Sequence, residues 1–346
     1  MTLLYFILIL GVTIFVHELG HFIFAKRAGI YVYEFAIGMG PKLYSFKRKN
    51  DETTYSIRLI PLGGFVSMAG EQIETDNDIP EEKRMQSKTW IQRFLTITAG
   101  CIFNFIFAFI LLFTIGLFYG SPELKPYLGD VLDNYPAKEA GMQKGDLILS
   151  INGDKMPTSD DVMMKLELVS KGSSLAFEVK KANNDIETYN IMPKKETIDK
   201  TEVYKYGMTF TDKVNHGLGE AVKFAFVKFA SIFKTMFQVI TNLITGTLGI
   251  KNLAGPVGIY NIVGQEAAAG FESILYLIAF LSINIGFVNF LPFPAFDGGR
   301  LLFLIIEKIK GSKVNPKVEN IIHAIGFALL LLLMIIITIQ DISRLL

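Results

Sequence analysis

The sequence predicts a polytopic α-helical membrane protein that carries a soluble insert. Hydrophobic residues make up 51% of the 346 residues, charged residues make up only 19%, and the mean hydropathy is +0.38. Long apolar runs alternate with polar intervals, and the longest polar interval extends from about residue 121 to residue 212. This pattern is typical of several membrane-spanning helices joined by a soluble domain. The net charge of +1 gives no indication of nucleic-acid binding.

Four segments are apolar and long enough to cross a lipid bilayer, which takes about 20 residues in a helix. They are residues 3–25, 94–119, 273–291 and 321–339. A cleaved signal peptide does not fit the first segment, because no Lys or Arg precedes it and it leads into a charged motif. A further apolar segment, residues 219–250, carries Lys223, Lys228 and Lys234 on one side of a helical wheel. That pattern predicts an amphipathic helix at the membrane interface.

The first span contains the motif HELGH, residues 17–21. On a helix, His17 and His21 lie four residues apart on one face, so both imidazoles can reach one metal ion. Glu18 lies beside them and can act as a base. Imidazole and carboxylate ligands suit zinc (Zn2+), and a catalytic zinc site keeps one position open for water. The alternative interpretation is a pair of packed histidines beside a carboxylate that reaches toward water.

A second motif, NFLPFPAFDGG, follows the third predicted span and ends at Gly299. Lys and Arg are dense between the first two spans and between the last two, so the positive-inside rule places both connections in the cytoplasm. His17 then lies toward the cytoplasmic end of the first span, and Asp297 follows the cytoplasmic end of the third. Because the two motifs share a depth, Asp297 can complete a two-histidine, one-aspartate ligand set. Alone, Asp297 would indicate a helix-terminating turn at the membrane surface.

Between the first two spans the sequence predicts a small β-region. Short strand-like runs are separated by Gly, Pro, Asn and Asp residues that favour turns. These runs are residues 33–38, 42–46, 55–60 and 65–68. A small sheet beside a membrane metal site either has a purely structural role or presents an unpaired edge to which an extended substrate adds as a strand. The residues alone leave both interpretations open.

The polar interval predicts an α+β domain built from a strand, a short helical turn, a second strand, a helix and two further strands. The order of these elements and the run AKEAGMQKGDLILSING, residues 137–153, resemble an extracytoplasmic PDZ domain of the kind attached to bacterial proteases. The resemblance implies a peptide groove between the strand that contains Gly129 and the helix at residues 161–169. The alternative is a PDZ-shaped domain whose groove is blocked or which serves only as a spacer.

The sequence thus divides into two halves of a membrane core, separated by the PDZ-like domain and by the amphipathic helix with its Gly/Pro-rich segment. The first half of the core is predicted to comprise residues 1–120 and the second half residues 271–346. The PDZ-like domain comprises residues 121–212, and the amphipathic helix with the Gly/Pro-rich segment comprises residues 213–270. Three polar residues of the spans are assigned no chemistry. We predict that Cys101 is a small lipid- or protein-facing hydrophobe rather than a nucleophile, Asn104 an interhelical hydrogen-bonding residue and His323 an interfacial residue.

Together, HELGH, NFLPFPAFDGG and the PDZ-like insert resemble the site-2 protease family of intramembrane zinc metalloproteases, in particular its bacterial branch that regulates sigma factors. The runs GMGPKLYSFKR and YSIRLIPLGGFVSMAGE match the membrane-associated β-region of that family. The resemblance implies that Glu18 is the catalytic base. It also implies a zinc ligand set composed of His17, His21 and Asp297.

The same resemblance implies that substrate is held by the N-x-x-P element, Asn289 and Pro292, and by the G-x-G loop, Gly38 and Gly40. The sequence departs from the family pattern at Phe296, where a Leu is usual. It also departs at Arg300, where a His is common. Neither position belongs to the ligand set, so the departures concern substrate fit rather than catalysis.

The activity that the resemblance implies is zinc-dependent cleavage of transmembrane segments within the lipid bilayer. The implied substrates are single-span proteins, either anti-sigma factors or remnant signal peptides, in the bacterial cytoplasmic (inner) membrane. The PDZ domain would lie outside the cytoplasm and the active site in the cytoplasmic half of the membrane. The alternative function is a non-catalytic receptor or scaffold that binds peptides through the PDZ groove. A protein without catalytic activity is expected to lack residues of HELGH or of the Asp-Gly-Gly element, but both motifs are intact. A transporter fits less well, because no paired broken-helix repeat is present.

Overall fold

The computed structural model describes residues 1–71, 78–168, 172–198, 201–249 and 253–345. The chain divides into two compact units. The first unit comprises residues 1–111 and 249–346, and the second comprises residues 112–248.

The first unit contains helix α1 and most of helix α2, up to residue 111, from the amino-terminal part of the chain and four helices from the carboxyl-terminal part. Their bounds are α1 Thr2–Arg27, α2 Trp90–Phe118, α6 Pro256–Ala269, α7 Phe271–Phe290, α8 Asp297–Lys310 and α9 Pro316–Leu345. Two short 3-10 helices, Glu81–Lys83 and Met85–Ser87, precede α2. The sequence did not predict α6, because a Gly/Pro-rich stretch precedes it and it contains glycines of its own. Its start is nevertheless typical, since Pro256 occupies the first turn.

The second unit contains helices α3 Pro136–Glu139, α4 Ser159–Leu168 and α5 Leu218–Ile244. Among the described residues, five helices are long and apolar enough to cross a membrane, namely α1, α2, α5, α7 and α9. Four of them are the predicted spans. The fifth, α5, is the segment whose lysines predict an interfacial position, and length and composition alone do not distinguish the two placements.

Two long strands, β1 Val32–Lys47 and β2 Thr54–Met68, form the predicted β-region of the first unit. Both strands bend, so that Phe35 pairs with Val66 and also with Tyr55. Gly38 has φ = +88°, and a Cβ added there would lie 2.7 Å from the carbonyl oxygen of Ile60, so only glycine fits this bend. The carboxyl-terminal part of β2 then runs beside α1. A Cβ added at Gly64 would lie 3.4 Å from Cγ of Glu18.

Two apolar clusters hold the first unit together. One joins the end of α1 and the sheet to α2 and α8 through buried side chains such as Ala25, Phe35, Ile97 and Leu304. The other joins the start of α1 to α6 and α7. Arg93 of α2 also donates two hydrogen bonds to the Glu307 carboxylate of α8, at 2.7 and 2.9 Å. These contacts fix the start of α8 relative to α1 and α2.

The second unit has its own hydrophobic core, centred on Phe177 and Ile148. The largest sheet, in the order β6-β5-β7-β8, is built from β5 Leu147–Ile151, β6 Asp154–Lys155, β7 Leu175–Lys180 and β8 Ile186–Ile191. The predicted strands at 146–153, 175–179 and 186–191 are therefore confirmed. Six shorter strands pair two by two: β3 Ser121–Pro122 with β12 Val214–Asn215, β4 Leu128–Val131 with β11 Met208–Phe210, and β9 Lys194–Ile198 with β10 Thr201–Lys205.

Helix α4 is fastened to α5 by polar contacts. Asp160 accepts a hydrogen bond from Lys228 at 2.6 Å and one from Ser231 at 3.0 Å. Asp161 pairs with Lys234 at 2.5 Å. The lysines that predict an amphipathic helix therefore bind a neighbouring helix of the same unit, which accounts for two of the three charges on that side of α5.

Candidate metal centre

His17 and His21 lie four residues apart on α1, and both side chains are almost fully buried. Helix α2 crosses α1 closely at this point. A Cβ added at Gly20 would lie 2.5 Å from the carbonyl oxygen of Ala99, and one added at Gly100 would contact the imidazole of His21. Each glycine removes a side chain that would separate the two helices. The imidazoles therefore occupy a space that exists only because both contact positions are glycine.

Asp297 is the first residue of α8 and follows a tight turn after α7. Added Cβ atoms at Gly298 and Gly299 would collide with the backbone carbonyls of Leu291 and Phe293, so the turn can fold back over them only because they are glycines. The turn also contains a strained residue, since Ala295 has φ = +99°. In this way the chain brings a carboxylate from residue 297 to the first helix.

The three predicted ligand side chains meet at one point. Oδ2 of Asp297 lies 3.1 Å from Nε2 of His17 and 3.1 Å from Nε2 of His21, and the two Nε2 atoms are 3.2 Å apart. Donor atoms bound to one zinc ion at 2.0–2.1 Å in tetrahedral geometry lie about 3.3 Å apart. The observed triangle has this size, and two imidazoles with one carboxylate form a donor set that zinc accepts. The residues therefore fit a zinc ion with one remaining position for water.

Groups on α2 contact the ligands from behind. Nδ1 of His21 lies 2.8 Å from the carbonyl oxygen of Thr96 and can donate a hydrogen bond to it, which leaves Nε2 free to bind a metal. Sγ of Cys101 lies 3.9 Å from Oδ2 of Asp297 and can donate to it. Cys101 is buried in protein, one of the two placements predicted for it, but the prediction did not include this polar contact. A single cysteine without metal-site spacing gave no signal that the fold would bring Asp297 to it.

A cavity of about 320 Å³ opens at the ligand triangle. Glu18 and Asn289 line it, and so do Phe65, Val66 and Met68 from the end of β2. Of the other predicted substrate-binding residues, Pro292 is exposed and is not among the lining residues. Gly38 and Gly40 lie in β1, where Arg58 donates a hydrogen bond to the carbonyl oxygen of Gly40 at 2.7 Å. The structure therefore brings Asn289 to the metal site and leaves Gly38 and Gly40 in the bend of the sheet.

Arg300 and Glu71 form an ion pair in the wall of the same cavity. A second cavity of about 220 Å³ lies on the other side of this pair and is lined by Arg93, Glu307 and His323, among others. Arg300 is the position where the resemblance leads one to expect a histidine. Here the arginine side chain, which is longer than that of histidine, forms an ion pair with Glu71, so no unpaired positive charge lies beside the metal site.

The second unit contains a groove of about 540 Å³ beside α4. Its walls are Met163, Leu166 and Glu167 of α4 and the segment from Tyr204 to Met208. Burial raises the pKa of Tyr206 to about 12, so its phenol stays neutral. The peptide groove predicted between α4 and the strand of Gly129 stays a prediction. A Cβ added at Gly129 would lie 2.5 Å from the carbonyl oxygen of Phe210, because β11 pairs with β4 and occupies that position.

Two histidines on the long apolar helix α1 and the aspartate that begins α8, with a glutamate beside the histidines, form a donor set typical of a metalloprotease. Comparison with known proteins agrees. The family model for Peptidase family M50 matches residues 5–333, and the chain belongs to this family, that of the site-2 proteases. It is an integral membrane metalloendopeptidase, and the alternative of a non-catalytic scaffold is set aside.

The chain matches its relatives over nearly its whole length. It is 38% identical to a putative zinc metalloprotease of Clostridium perfringens, over 99% of this chain and 98% of the relative. It is 35% identical to the regulator of sigma-W protease RasP of Bacillus subtilis, over 99% of each chain. Among solved structures it is similar to the PDZ domain of an SdrC-like protein of Listeria monocytogenes, with 25% identity over 26% of this chain and 92% of that one and a TM-score of 0.22. The Clostridium perfringens relative and a RasP protein of Bacillus licheniformis, 35% identical over 99% of each chain, are named zinc metalloproteases, which identifies zinc as the cofactor.

Proposed function

We propose that this protein is an intramembrane endopeptidase that cleaves the transmembrane segments of single-span proteins. The observation that carries the proposal is the triangle of His17, His21 and Asp297, with edges of 3.1–3.2 Å, whose two histidines lie on a helix long and apolar enough to cross a bilayer. The relative named as a regulator of sigma-W supports substrates of the anti-sigma-factor type. Remnant signal peptides are a second substrate class of the same chemistry.

The three ligands would hold zinc, which when bound lowers the pKa of a water molecule and polarises the scissile carbonyl. Glu18 then acts as the base. It lines the cavity at the ligand triangle and can accept the proton of the attacking water and return it to the leaving amine. Asn289 lines the same cavity and can hydrogen-bond to the substrate backbone. These roles use only side chains that converge on one space.

A transmembrane helix must unwind before it can be cleaved, because its amides are bonded within the helix. The end of β2 offers a place for the unwound segment. Residues 64–67 pair with β1 on one side only among the described residues, and Phe65, Val66 and Met68 line the metal cavity. An extended substrate that adds to this edge would lie next to the ligand triangle. Pro292, Gly38 and Gly40 are proposed to shape this region rather than to touch the reacting atoms.

The PDZ-like unit is proposed to select substrates, as a peptide site or as a size filter. The groove of α4 has an apolar floor, from Met163, Leu166 and Met208, and could take the end of a trimmed substrate. Gly129 contributes by allowing β11 to pair closely with β4. The positive-inside rule supports a location in the bacterial inner membrane, with this unit outside the cytoplasm and the metal in the cytoplasmic half of the bilayer. In this placement α5 is an interfacial helix.

The test combines zinc content with cleavage of a membrane-embedded reporter. We expect Glu18→Gln to keep zinc and lose cleavage by at least about 100-fold, because a general base contributes about 10²–10⁴-fold. Asp297→Asn should lose zinc as well as activity. Asp133→Asn, a carboxylate that is 84% exposed, is the control and should behave as wild type. Full cleavage by Glu18→Gln would refute its assignment as base.

A further inference from the structure

Helix α2 supplies one group opposite each of the three ligands. The carbonyl oxygen of Thr96 lies at hydrogen-bond distance from Nδ1 of His21, and the thiol of Cys101 can donate to Oδ2 of Asp297. The side-chain amide of Asn104 meets His17, with Nδ2 of Asn104 3.4 Å from Nδ1 of His17. Thr96, Gly100 and Asn104 follow one another at four-residue intervals, so they lie on one face of the helix. This face forms the back wall of the metal site.

Asn104 is fully buried, and only one end of its amide has a polar neighbour. Its Oδ1 atom has no hydrogen-bond partner in the part of the chain that the structure describes. The amide can rotate by 180° and exchange its oxygen and its NH2 group. The end of the Asn104 amide that points away from His17 has no polar partner in either orientation. The orientation of the amide is therefore determined by its contact with His17. An Nδ1 without a proton accepts from the NH2 group, whereas an Nδ1–H donates to the oxygen.

Metal binding determines which of these states applies. A histidine that binds zinc through Nε2 carries its proton on Nδ1, and it needs an acceptor there. For His17 the only group at hydrogen-bond distance from Nδ1 in the described structure is the amide of Asn104. The backbone at Asn104 is held in place, because Ser282 of α7 donates a hydrogen bond to its carbonyl oxygen at 3.0 Å. The backbone bond to α7 therefore helps to keep the Asn104 amide next to His17.

We propose that Asn104 is a positioning residue for the zinc ligand His17. In the zinc-loaded protein its amide oxygen accepts the Nδ1–H of His17. Asn104 thereby holds the imidazole in the orientation in which Nε2 faces the metal. This inference rests on the proposed zinc site, and its test separates the two. Failure of the wild type to bind zinc would refute the site itself.

The experiment measures zinc affinity by chelator competition in the full-length, detergent-solubilised protein. Asn104→Leu removes the acceptor, and we expect zinc affinity to fall by about 10- to 100-fold. Asn104→Asp keeps an acceptor at the same place and should stay within about threefold of wild type. Asn284→Leu is the matched control. It also removes an asparagine from a membrane helix, but Asn284 donates to its own helix, to the carbonyl oxygen of Phe280, and its loss should not change zinc affinity.

A second measurement does not depend on any variant. Nitrogen-15 NMR of histidine-labelled wild type should show a protonated, hydrogen-bonded Nδ1 for His17 when zinc is bound, and its Nδ1–H signal should shift in Asn104→Leu. The proposal is overturned if Asn104→Leu binds zinc as tightly as wild type. It is equally overturned if Asn104→Asp folds but is as weak as Asn104→Leu, or if Nδ1 of His17 carries no proton in the zinc-loaded protein.

Discussion

Nδ1 of His323 on α9 accepts a hydrogen bond from the backbone N–H of Ala295, with 3.2 Å between the two nitrogen atoms. Ala295 lies two residues before Asp297 and has φ = +99°. A non-glycine residue in this region costs about 1–3 kcal/mol and persists only where its surroundings hold it. The bond from Ala295 to His323 is one such constraint. The last helix therefore helps to hold the turn that presents Asp297 to the two histidines.

The first prediction concerns this bond. His323→Leu removes the acceptor, so the strained turn should relax and zinc affinity should fall by about tenfold, the lower end of the effect of groups that orient metal ligands. Adding Ala295→Gly should recover part of the loss, because glycine adopts a positive φ without strain. Chelator competition measures both effects. An unchanged affinity in His323→Leu would show that the turn keeps its shape without α9.

A second prediction uses the glycine beneath the imidazoles. In a helix, Gly→Ala normally stabilises by about 0.5–1 kcal/mol. At Gly100 the added methyl group would contact Nε2 of His21 and lie 2.7 Å from Cε1 of His17, so Gly100→Ala should lose zinc binding and activity. Gly219→Ala is the matched control, because an added Cβ there meets no atom within 4 Å. We expect this control to raise the melting temperature slightly and leave zinc binding intact. Zinc content near wild type in Gly100→Ala would contradict the close packing of α1 on α2.

The sequence was sufficient to predict the three ligands but not the wall behind them. HELGH has a fixed geometry on a helix, and the Asp-Gly-Gly element carries its own reason for a tight turn, so local chemistry predicts both. The roles of Cys101, Asn104 and His323 depend on which helices cross and where. Their neighbours Asp297, His17 and Ala295 are far away in the sequence, and no periodic pattern encodes those contacts.

The groove beside α4 shows the same limit. The strand of Gly129 and the helix α4 were predicted from local patterns, but the strand that pairs with Gly129 is β11, about 80 residues further along the chain. A strand of three residues has too little alternation to be recognised. The cavity beside α4 is accordingly lined by the Tyr204–Met208 segment that leads into β11 as well as by Leu132, which follows β4. This contribution depends on long-range strand pairing rather than on local propensity.

A third prediction concerns the ion pair between Arg300 and Glu71. The Arg300 side chain is 36% exposed and that of Glu71 is 20% exposed, so solvent screening limits the coupling energy to about 1 kcal/mol. A double-mutant cycle with Arg300→Gln and Glu71→Gln, followed by thermal unfolding in detergent, should yield a coupling of this size. The pair of Lys144 and Asp130, whose side chains are 75% and 70% exposed, provides the comparison and should yield a value near zero. Equal coupling in the two cycles would show that the cavity wall does not depend on this contact.

The last prediction concerns the pH dependence of the β-region. Burial alone would raise the pKa of Glu34, but hydrogen bonds from Ser56, Lys42 and Arg58 outweigh it and lower the pKa below the ordinary value of 4.5. A carboxyl group whose pKa is lower in the folded state adds stability above its unfolded pKa. That contribution is lost as the pH falls from about 4.5 through the folded pKa.

We therefore expect amide-exchange protection of residues 34–37 in wild type to fall on acidification below pH 4.5, after correction for intrinsic exchange rates. In Glu34→Gln protection should be weaker at neutral pH and nearly independent of pH over this range. Asp51 also has a lowered pKa, because hydrogen bonds from Lys26, Thr53 and Tyr55 outweigh its burial. Asp51→Asn is accordingly the control, and it should keep the pH response at residues 34–37 while changing the 48–53 turn. A pH response that survives in Glu34→Gln would assign the effect to another carboxyl group. If it is lost, the stability of the part of β1 that pairs with residues 64–67 of β2 depends on the Glu34 carboxylate.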